Sequence, residues 1–556
     1  MRIHASILFL ALTGCGDGGS SPGDVPATPD TARTDVTTPP GRDTRPGDGA
    51  VPVAWGPENL LGGATLVILA HEDLVDALEP LAAWKNARGL PTRLVPLGEA
   101  LLAGTGADQP ARIRDWIREL RDTEGTRYVL LAGDTNLLPV RQVYQEMYNE
   151  AEDFYISDFL ATDLYYGDLD GDWDGDGDGT LAELEDGLDL LPDVAVGRVP
   201  ARTATEAKRW VDKVLAYERD PVADYQHKVL LLGEWAGEIG GVSFCSTTAL
   251  DGVIEPVLPE HVEITKLYGP QCPMSAGAIP TSPQTQLEHM NAGQAWALNF
   301  GHGWLESLCQ LGLSDMDALT TGDRPSIFLT TECNSCEFDF PTLPHVACEE
   351  YVLAGGGGVA YIGNTEFGVG APWLMNWYRD FLERMYGNPG AALGDLMAET
   401  TRTFADPAGA QEPLSDLRWT YLVLILMGDP SLAVYTDRPA PLTVAAQSAQ
   451  EALTVTVTAD GAPVVGATVA LHAGNRFLYV EIADEAGAAT FQWADGPPAP
   501  PISLTVTAPN HLPFQETISR GAPARTSAAR PPARRGDRRR RAGAGPDPGA
   551  ASPGSP

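Results

Sequence analysis

Positive charge is scarce in this chain of 556 residues: 37 Lys plus Arg stand against 75 Asp plus Glu, a formal net charge of -38. An excess of that size repels a polyanion over most of the surface, so no chain-wide nucleic-acid interface is expected. Long apolar runs are also missing. The one near the start, Ile3 to Leu12, falls short of the about 20 residues a bilayer crossing needs, and no later segment approaches one. Cysteine is sparse, with 7 in the chain. What is present is a hydrophobic fraction of 43%, enough for a sizeable core and against wholesale disorder. The length suits about three domains at roughly 150 residues each.

The ends differ from the middle. A basic start, the apolar run and then Leu12-Thr13-Gly14-Cys15 resemble a bacterial lipoprotein signal, which implies removal of the leader and lipidation of Cys15. A plain secretory signal is the alternative. Gly16 to Arg45 is rich in Gly, Pro, Asp and Thr, as a tether is. From Arg520 onward nine Arg accompany only Asp537 and Asp547, among Pro, Ala and Gly without apolar periodicity, so the tail is expected to be disordered. In an oxidising compartment some of Cys245, Cys272, Cys309, Cys333, Cys336 and Cys348 are expected to pair, with connectivity unreadable from spacing. If one is kept for chemistry, at least one more stays out of any disulfide.

Between the ends, apolar runs alternate with helical spacings. Strands are expected over Ala64 to Ala70, Tyr128 to Leu131, Val194 to Val196, Val229 to Leu232, Ala295 to Asn299, Ile327 to Thr330 and Val359 to Ile362. Helices are expected over Glu206 to Tyr217, His345 to Leu353, Leu374 to Met385 and Leu393 to Phe404. This is the pattern of an α/β sheet flanked by helices. From about Pro439 to Ser519 the period becomes two, in runs such as Leu453 to Val457 and Ile502 to Val506, and a small β-sandwich is expected.

Two motifs carry chemistry. Asp174, Asp176, Asp178, Gly179, Thr180 and Glu185 fill positions 1, 3, 5, 6, 7 and 12 of a calcium loop. The carboxylates alternate toward one ion, Gly allows the bend, Thr180 offers its carbonyl and Glu185 closes the shell. Asp168, Asp170 and Asp172 form a second cluster or share the first. An acidic solvent loop is the plain alternative. The other motif is a strand ending in Gly301-His302-Gly303 and a second ending in Glu332-Cys333. On neighbouring strands, His302 would take the thiol proton of Cys333, whose thiolate attacks a carbonyl, with amides near Gly303 and Cys333 as oxyanion donors. A buried structural Cys and a strand-end His explain the pair equally well by themselves.

Those residues sit in a longer ordered set: Leu130 to Asp134, Gly197-Arg198-Val199-Pro200, Asn299 to Gly303, Glu332 to Phe338, Gly355 to Gly363 and Gly428-Asp429-Pro430. In that set the chain resembles the gingipain-type cysteine peptidases over most of Ala64 to Tyr435. The resemblance implies a caspase-like catalytic sheet, His302 and Cys333 as catalytic pair, a protein or peptide substrate, and an immunoglobulin-like module after the catalytic unit. It also implies an acidic residue orienting His302, matched here by Glu234 with Glu238 close by, and a preference for Arg or Lys. Two departures stand out. The stretch before Ala64 is too short for the family's large propeptide, and Cys336 replaces a small residue of the nucleophile segment.

The expected organisation is therefore a signal over 1–15, a tether over 16–56, an N-terminal α/β subdomain with the calcium loop over 57–225, a caspase-like catalytic subdomain over 226–438, an immunoglobulin-like sandwich over 439–519 and a basic tail over 520–556. The expected location is the bacterial cell envelope, lipid-anchored at the outer membrane or cell surface. Two other functions compete. Cys333, Cys336 and Cys348 with Cys309, His345 or His302 would make a structural zinc site, and an inactive tethered protein would use the β domain for adhesion or binding.

Overall fold

A computed structural model describes residues 63–149, 154–239, 242–368, 372–404, 415–449, 452–473, 476–493, 501–518 and 525–528. The signal, the tether, Cys15 and all of the tail but 525–528 lie outside them.

The central sheet contains, in chain order, β1 (Leu66–Ala70), β2 (Thr92–Pro96), β3 (Tyr128–Ala132), β4 (Ala195–Val199), β5 (Lys228–Gly233), β6 (Glu263–Tyr268), β7 (Ile279–Pro280), β8 (Trp296–Phe300), β9 (Ile327–Thr330), β10 (Ala360–Asn364) and β11 (Leu424–Met427). Their spatial order is β7-β6-β5-β8-β9-β10-β11-β4-β3-β1-β2. Neighbours run parallel except at β10 and β11, which are antiparallel, so the two halves of the sheet point in opposite directions. Burial of a strand on both faces explains its apolar runs: every residue of β1, β3, β8, β9 and β10 is buried.

Alternate residues feed two layers. Leu66, Ile68 and Ala70 join one core with α1 (Val75–Ala87), α3 (Ala204–Glu218), α4 (Ala347–Leu353) and α5 (Pro372–Gly387). Val67 and Leu69 join the other with α2 (Gln109–Glu124) and α6 (Asp416–Val423). The helices begin where side chains satisfy first-turn amides. Asp108 accepts the Ala111 N–H at 2.9 Å ahead of α2, and Thr203 and Glu206 form a reciprocal box at the start of α3.

Arg198 on β4 stands opposite Met427 of β11, one strand in from the β10–β11 boundary where the two halves of the sheet meet. Its fully buried guanidinium donates to both Asp163 oxygens at 2.7 and 2.8 Å, and to the carbonyls of Gly133 and Leu138 at 2.9 and 3.0 Å. It also lies 5.3 Å from the ring centre of Phe338, in the loop after Cys333. Next to this seam, Lys85 of α1 bridges Glu218 of α3 at 2.8 Å and Asp429 at 2.6 Å, all three buried. The Arg-Val-Pro and Gly-Asp-Pro motifs are thus structural.

After the catalytic-size unit come two antiparallel sheets. One holds Ala462–Pro463, Ala452–Ala459, Thr443–Ser448, Ala488–Gln492 and Arg525–Ala528; the other holds Arg476–Ile482, Thr468–Ala473, Ile502–Thr507 and Phe514–Ile518. Both contribute to one separate apolar core. Arg525–Ala528 pairs with Thr443–Ser448, so the β region runs past the expected limit at 519. No helix among the described residues is long and apolar enough to cross a membrane.

Replacing Arg198 by Met leaves Asp163 buried without its cation. Unfolding in urea followed by tryptophan fluorescence is expected to show a loss of about 3–5 kcal/mol.

Candidate active site

The paired residues Asn299 of β8 and Thr330 of β9 fix the local register. Three residues beyond the first lies His302, and three beyond the second lies Cys333. Both residues therefore follow the carboxyl ends of neighbouring parallel strands. On the other side of β8, Gly233 of β5 pairs with Phe300, which brings Glu234 against Gly301. A side chain at Gly301 would meet the Glu234 Oε1 at 2.3 Å. Glycine is required there by contact.

Glu234 Oε1 accepts the His302 backbone N–H at 2.6 Å, and its Oε2 accepts from Gln310 Nε2 at 3.3 Å. The expected acidic neighbour of His302 therefore engages it through the main-chain amide. Glu238 lies in the strand Trp235–Ile239, opposite Ser243 of Val242–Cys245. A second carboxylate, Glu332, is fully buried directly before Cys333. It accepts hydrogen bonds from Asn299 Nδ2 and the Cys309 N–H, while its own carbonyl accepts from Asn364 Nδ2 at 2.9 Å. A Cβ on Gly303 would lie 2.5 Å from Glu332 Oε2. The two glycines flanking His302 thus let two carboxylates close in on the loop.

Cys333 is 6 % exposed, among Phe367 and the residues of the second core, with Sγ 3.8 Å from the Gly368 carbonyl. His302 is half-buried, and Trp235, next after Glu234, and Trp304, two after His302, are exposed aromatic groups at this edge. The chain turns sharply after the thiol at Asn334, whose φ is 49°. The Asn334 Nδ2 donates to Glu337 at 3.0 Å and to Glu366 at 2.8 Å. Burial first, with the charges of Asp339 and Asp158, raises the Glu337 carboxyl to about 7. Burial, then Glu337, Asp158 and Asp339, raises Glu366 to about 9.

Cys336 and Cys348 form a disulfide, as do Cys245 and Cys272. The zinc reading is overturned: two of its thiols are bonded to each other. Cys309 and Cys333 are in neither disulfide. Burial, then the charges of Glu234 and Glu332, pushes the Cys309 thiol well above its ordinary range.

The acidic loop closes differently from the twelve-residue pattern. Among the described residues, Asp174, Asp176 and Asp186 bring carboxylate oxygens together, as do Asp176, Asp178 and Glu183. Thr180 N–H donates to Asp178 at 2.7 Å. Glu185, expected to complete the shell, belongs to neither group and is exposed. The cause is a left-handed turn at Ala182, φ 66°, followed by a tight turn over Leu184–Asp186. Together they point Asp186 inward one residue later. Asp186, Glu183, Glu332 and Gln310 were not singled out from the sequence, since spacing alone does not reveal that turn or the packing around β8.

Against this geometry, the profile of Peptidase family C25 matches residues 59–435, and the chain belongs to that family. Fold and family place it among the gingipain-like cysteine peptidases. Lys-gingipain W83 of Porphyromonas gingivalis is 24% identical over 287 residues, 50% of this chain and 14% of the relative. The match thus spans about a seventh of that protein. Among solved structures, the Arg-specific cysteine proteinase gingipain R superimposes with a TM-score of 0.64 at 18% identity, over 82% of this chain and 97% of that one. The complex of Porphyromonas gingivalis RgpB pro- and mature domains gives 0.63 at 18% identity, over 81% and 99%. These likenesses carry the fold, including the smaller β-rich region after the α/β sheet.

The two thiols outside the disulfides should label differently. With iodoacetamide at pH 7, alkylation is expected at Cys333 and negligible at Cys309, whose labelling should grow only at strongly alkaline pH. Peptide mapping by mass spectrometry reads the ratio, and equal labelling at neutral pH would contradict the assignment.

Proposed function

We propose that this protein is a cysteine endopeptidase whose nucleophile is Cys333 and whose proton carrier is His302. The observation that supports the reading is the β8/β9 register, with both residues three positions past the Asn299 and Thr330 pair. Cys333 Sγ, its proton passed to His302, forms a bond to the peptide carbonyl carbon. Collapse of the tetrahedral adduct breaks the C–N bond as His302 protonates the departing amine, and water then hydrolyses the thioester. Amides near Gly303 and Cys333 are the candidate donors for the oxyanion. Glu234 acts as a positioning residue through the His302 amide, and its charge favours the imidazolium.

A cationic residue before the cleaved bond fits the four carboxyl groups beside the nucleophile loop, Asp158, Glu337, Asp339 and Glu366. The relatives' names, Lys-gingipain and Arg-specific proteinase, point the same way. Crowded carboxyl groups held partly protonated ionise readily when a cation arrives.

The loop Asp174 to Asp186 is read as a structural calcium site, with Asp174, Asp176, Asp178, Glu183 and Asp186 as oxygen donors and Thr180 offering its carbonyl. The two-sheet region after Pro439 is read as the immunoglobulin-like module, and lipidation of Cys15 as the tether to the bacterial cell envelope.

Cys333→Ala is expected to abolish hydrolysis of fluorogenic peptides, and His302→Ala to lower kcat at least 100-fold with KM little changed. Normal turnover by either folded variant would reject its role. With Arg and Lys substrates, kcat/KM should rise with pH as Glu337 ionises near 7. Glu337→Gln and Glu366→Gln should reduce selectivity over a neutral residue at least about tenfold, and unchanged selectivity would remove these carboxylates from substrate recognition.

A further inference from the structure

The carboxylate directly before the nucleophile reaches the loop that follows His302 at two points. Glu332 is 0% exposed. Its Oε1 accepts from Asn299 Nδ2 on β8 and from the Cys309 N–H. Its Oε2 lies against Gly303, where a Cβ would meet it at 2.5 Å.

Those two points close one small sheet. Gly303–Trp304 pairs with Ser307–Leu308, which pairs with Leu311–Gly312, and Gly303 stands opposite Leu308. Cys309 follows in a left-handed conformation, φ 53°, which a residue with a side chain keeps only where its surroundings hold it. Gln286 adds a brace on the far side, accepting the Gln310 N–H at 3.0 Å and donating to the Leu308 carbonyl at 3.4 Å. Glu234 holds the front of the loop through the His302 N–H. His302 is thus carried on a segment with one carboxylate against Gly301 and another against Gly303.

The charge of Glu332 matters as well as its contacts, because a buried carboxylate acts on its neighbours through a low dielectric. The titratable groups near it are the Cys309 thiol, Tyr361 of β10 and Tyr378 of α5. Burial first, then carboxylate charge, pushes all three above their ordinary ranges. Glu234 faces the loop from the end of β5, and Glu337 and Glu366 surround Asn334 past the thiol. Of all these groups and the catalytic pair, only His302 ionises to a cation. It is the one that a second carboxylate stabilises in its charged form.

We propose that Glu332 is a positioning residue for the Cys333 and His302 pair: it anchors the segment bearing the Gly303 amide, a candidate oxyanion donor, and as an anion it sustains the His302 imidazolium. This rests on the reading of Cys333 and His302 as nucleophile and proton carrier.

Glu332→Gln tests the charge with the shape kept, since the amide oxygen still accepts from both donors. Loss of one negative charge makes the Cys333 thiolate easier to form and the imidazolium easier to lose. Both limbs of the kcat/KM profile should therefore move to lower pH, by at least about 0.5 unit. Glu337 and Glu366 ionise in parent and variant alike, so they cancel in the comparison. Glu332→Ala removes the anchor too, and kcat should fall at least about 100-fold with KM little changed. Thermal melting reports whether each variant is folded, and if the Ala variant is not, the Gln variant carries the test. A Gln profile superimposable on the parent's would overturn the proposal. So would equal losses of kcat in both variants with neither limb moved, the mark of a purely structural carboxylate. The rate of Cys333 alkylation by iodoacetamide against pH, read by peptide mapping, separates this inference from the peptidase reading. Should the parent cleave no peptide, that reading fails, while an acidward shift of the alkylation midpoint in Glu332→Gln still supports the hold of Glu332 on the pair and an unmoved midpoint overturns it.

Discussion

The pairing of β8 with β9 is the constraint on which the rest of the active edge depends. Side chains alternate along a strand, so a slip by one residue would turn the outgoing segments to opposite faces. Asn299 is the pin: it sits in the register pair itself and donates to both Thr330 Oγ1, at 3.2 Å, and Glu332. Glu332 then holds the Cys309 amide, and Asn364 on β10 holds the Glu332 carbonyl. Three adjacent strands are thereby tied together within a few residues of the thiol.

That edge rests on a seam between two oppositely directed half-sheets. The halves meet between β10 and β11, the one antiparallel pair of the central sheet among the described residues, and β11 continues parallel to β4. The join is polar inside, with Arg198 and Lys85 each surrounded by acidic groups or carbonyls. Opposite charges at ion-pair distance make such an arrangement tolerable, and the loss of one member leaves a bare buried charge. Arg198 also lies over Phe338, so this polar cluster reaches the loop after Cys333.

Much of this was legible in the sequence. Ile327 to Thr330 was expected as a strand and is one, residue for residue, because all four side chains are buried and apolar or paired. Leu393 to Phe404 was equally clear from its helical spacing. The hairpin Arg141–Asn149 with Phe154–Thr162 was not, since its buried face runs Val143, Gln145, Met147 with a polar residue at the centre, while aromatic Tyr155 and Phe159 are exposed, so the apolar period is broken. The candidate pair His302 and Cys333 was found because both follow apolar strands. Their supporting residues were hidden, since Glu332 and Gln310 matter through packing across strands. The partner of Cys336 was likewise beyond reach: Cys348 lies on α4, and only the fold brings the two together. Position 12 of the acidic motif misled for a local reason, the left-handed Ala182.

Helix α6 is short, yet its two ends of influence are far apart in chemistry. Arg418 donates to the carbonyls of Ala182 and Glu183. The next residue, Trp419, donates its indole N–H to the Phe367 carbonyl at 2.8 Å. Gly368 follows immediately, and its carbonyl touches the Cys333 sulfur. A chain of contacts thus links the aspartate-rich segment through α6 to the backbone behind Cys333. The acidic loop and the surroundings of Cys333 are, in this architecture, parts of one connected piece of protein.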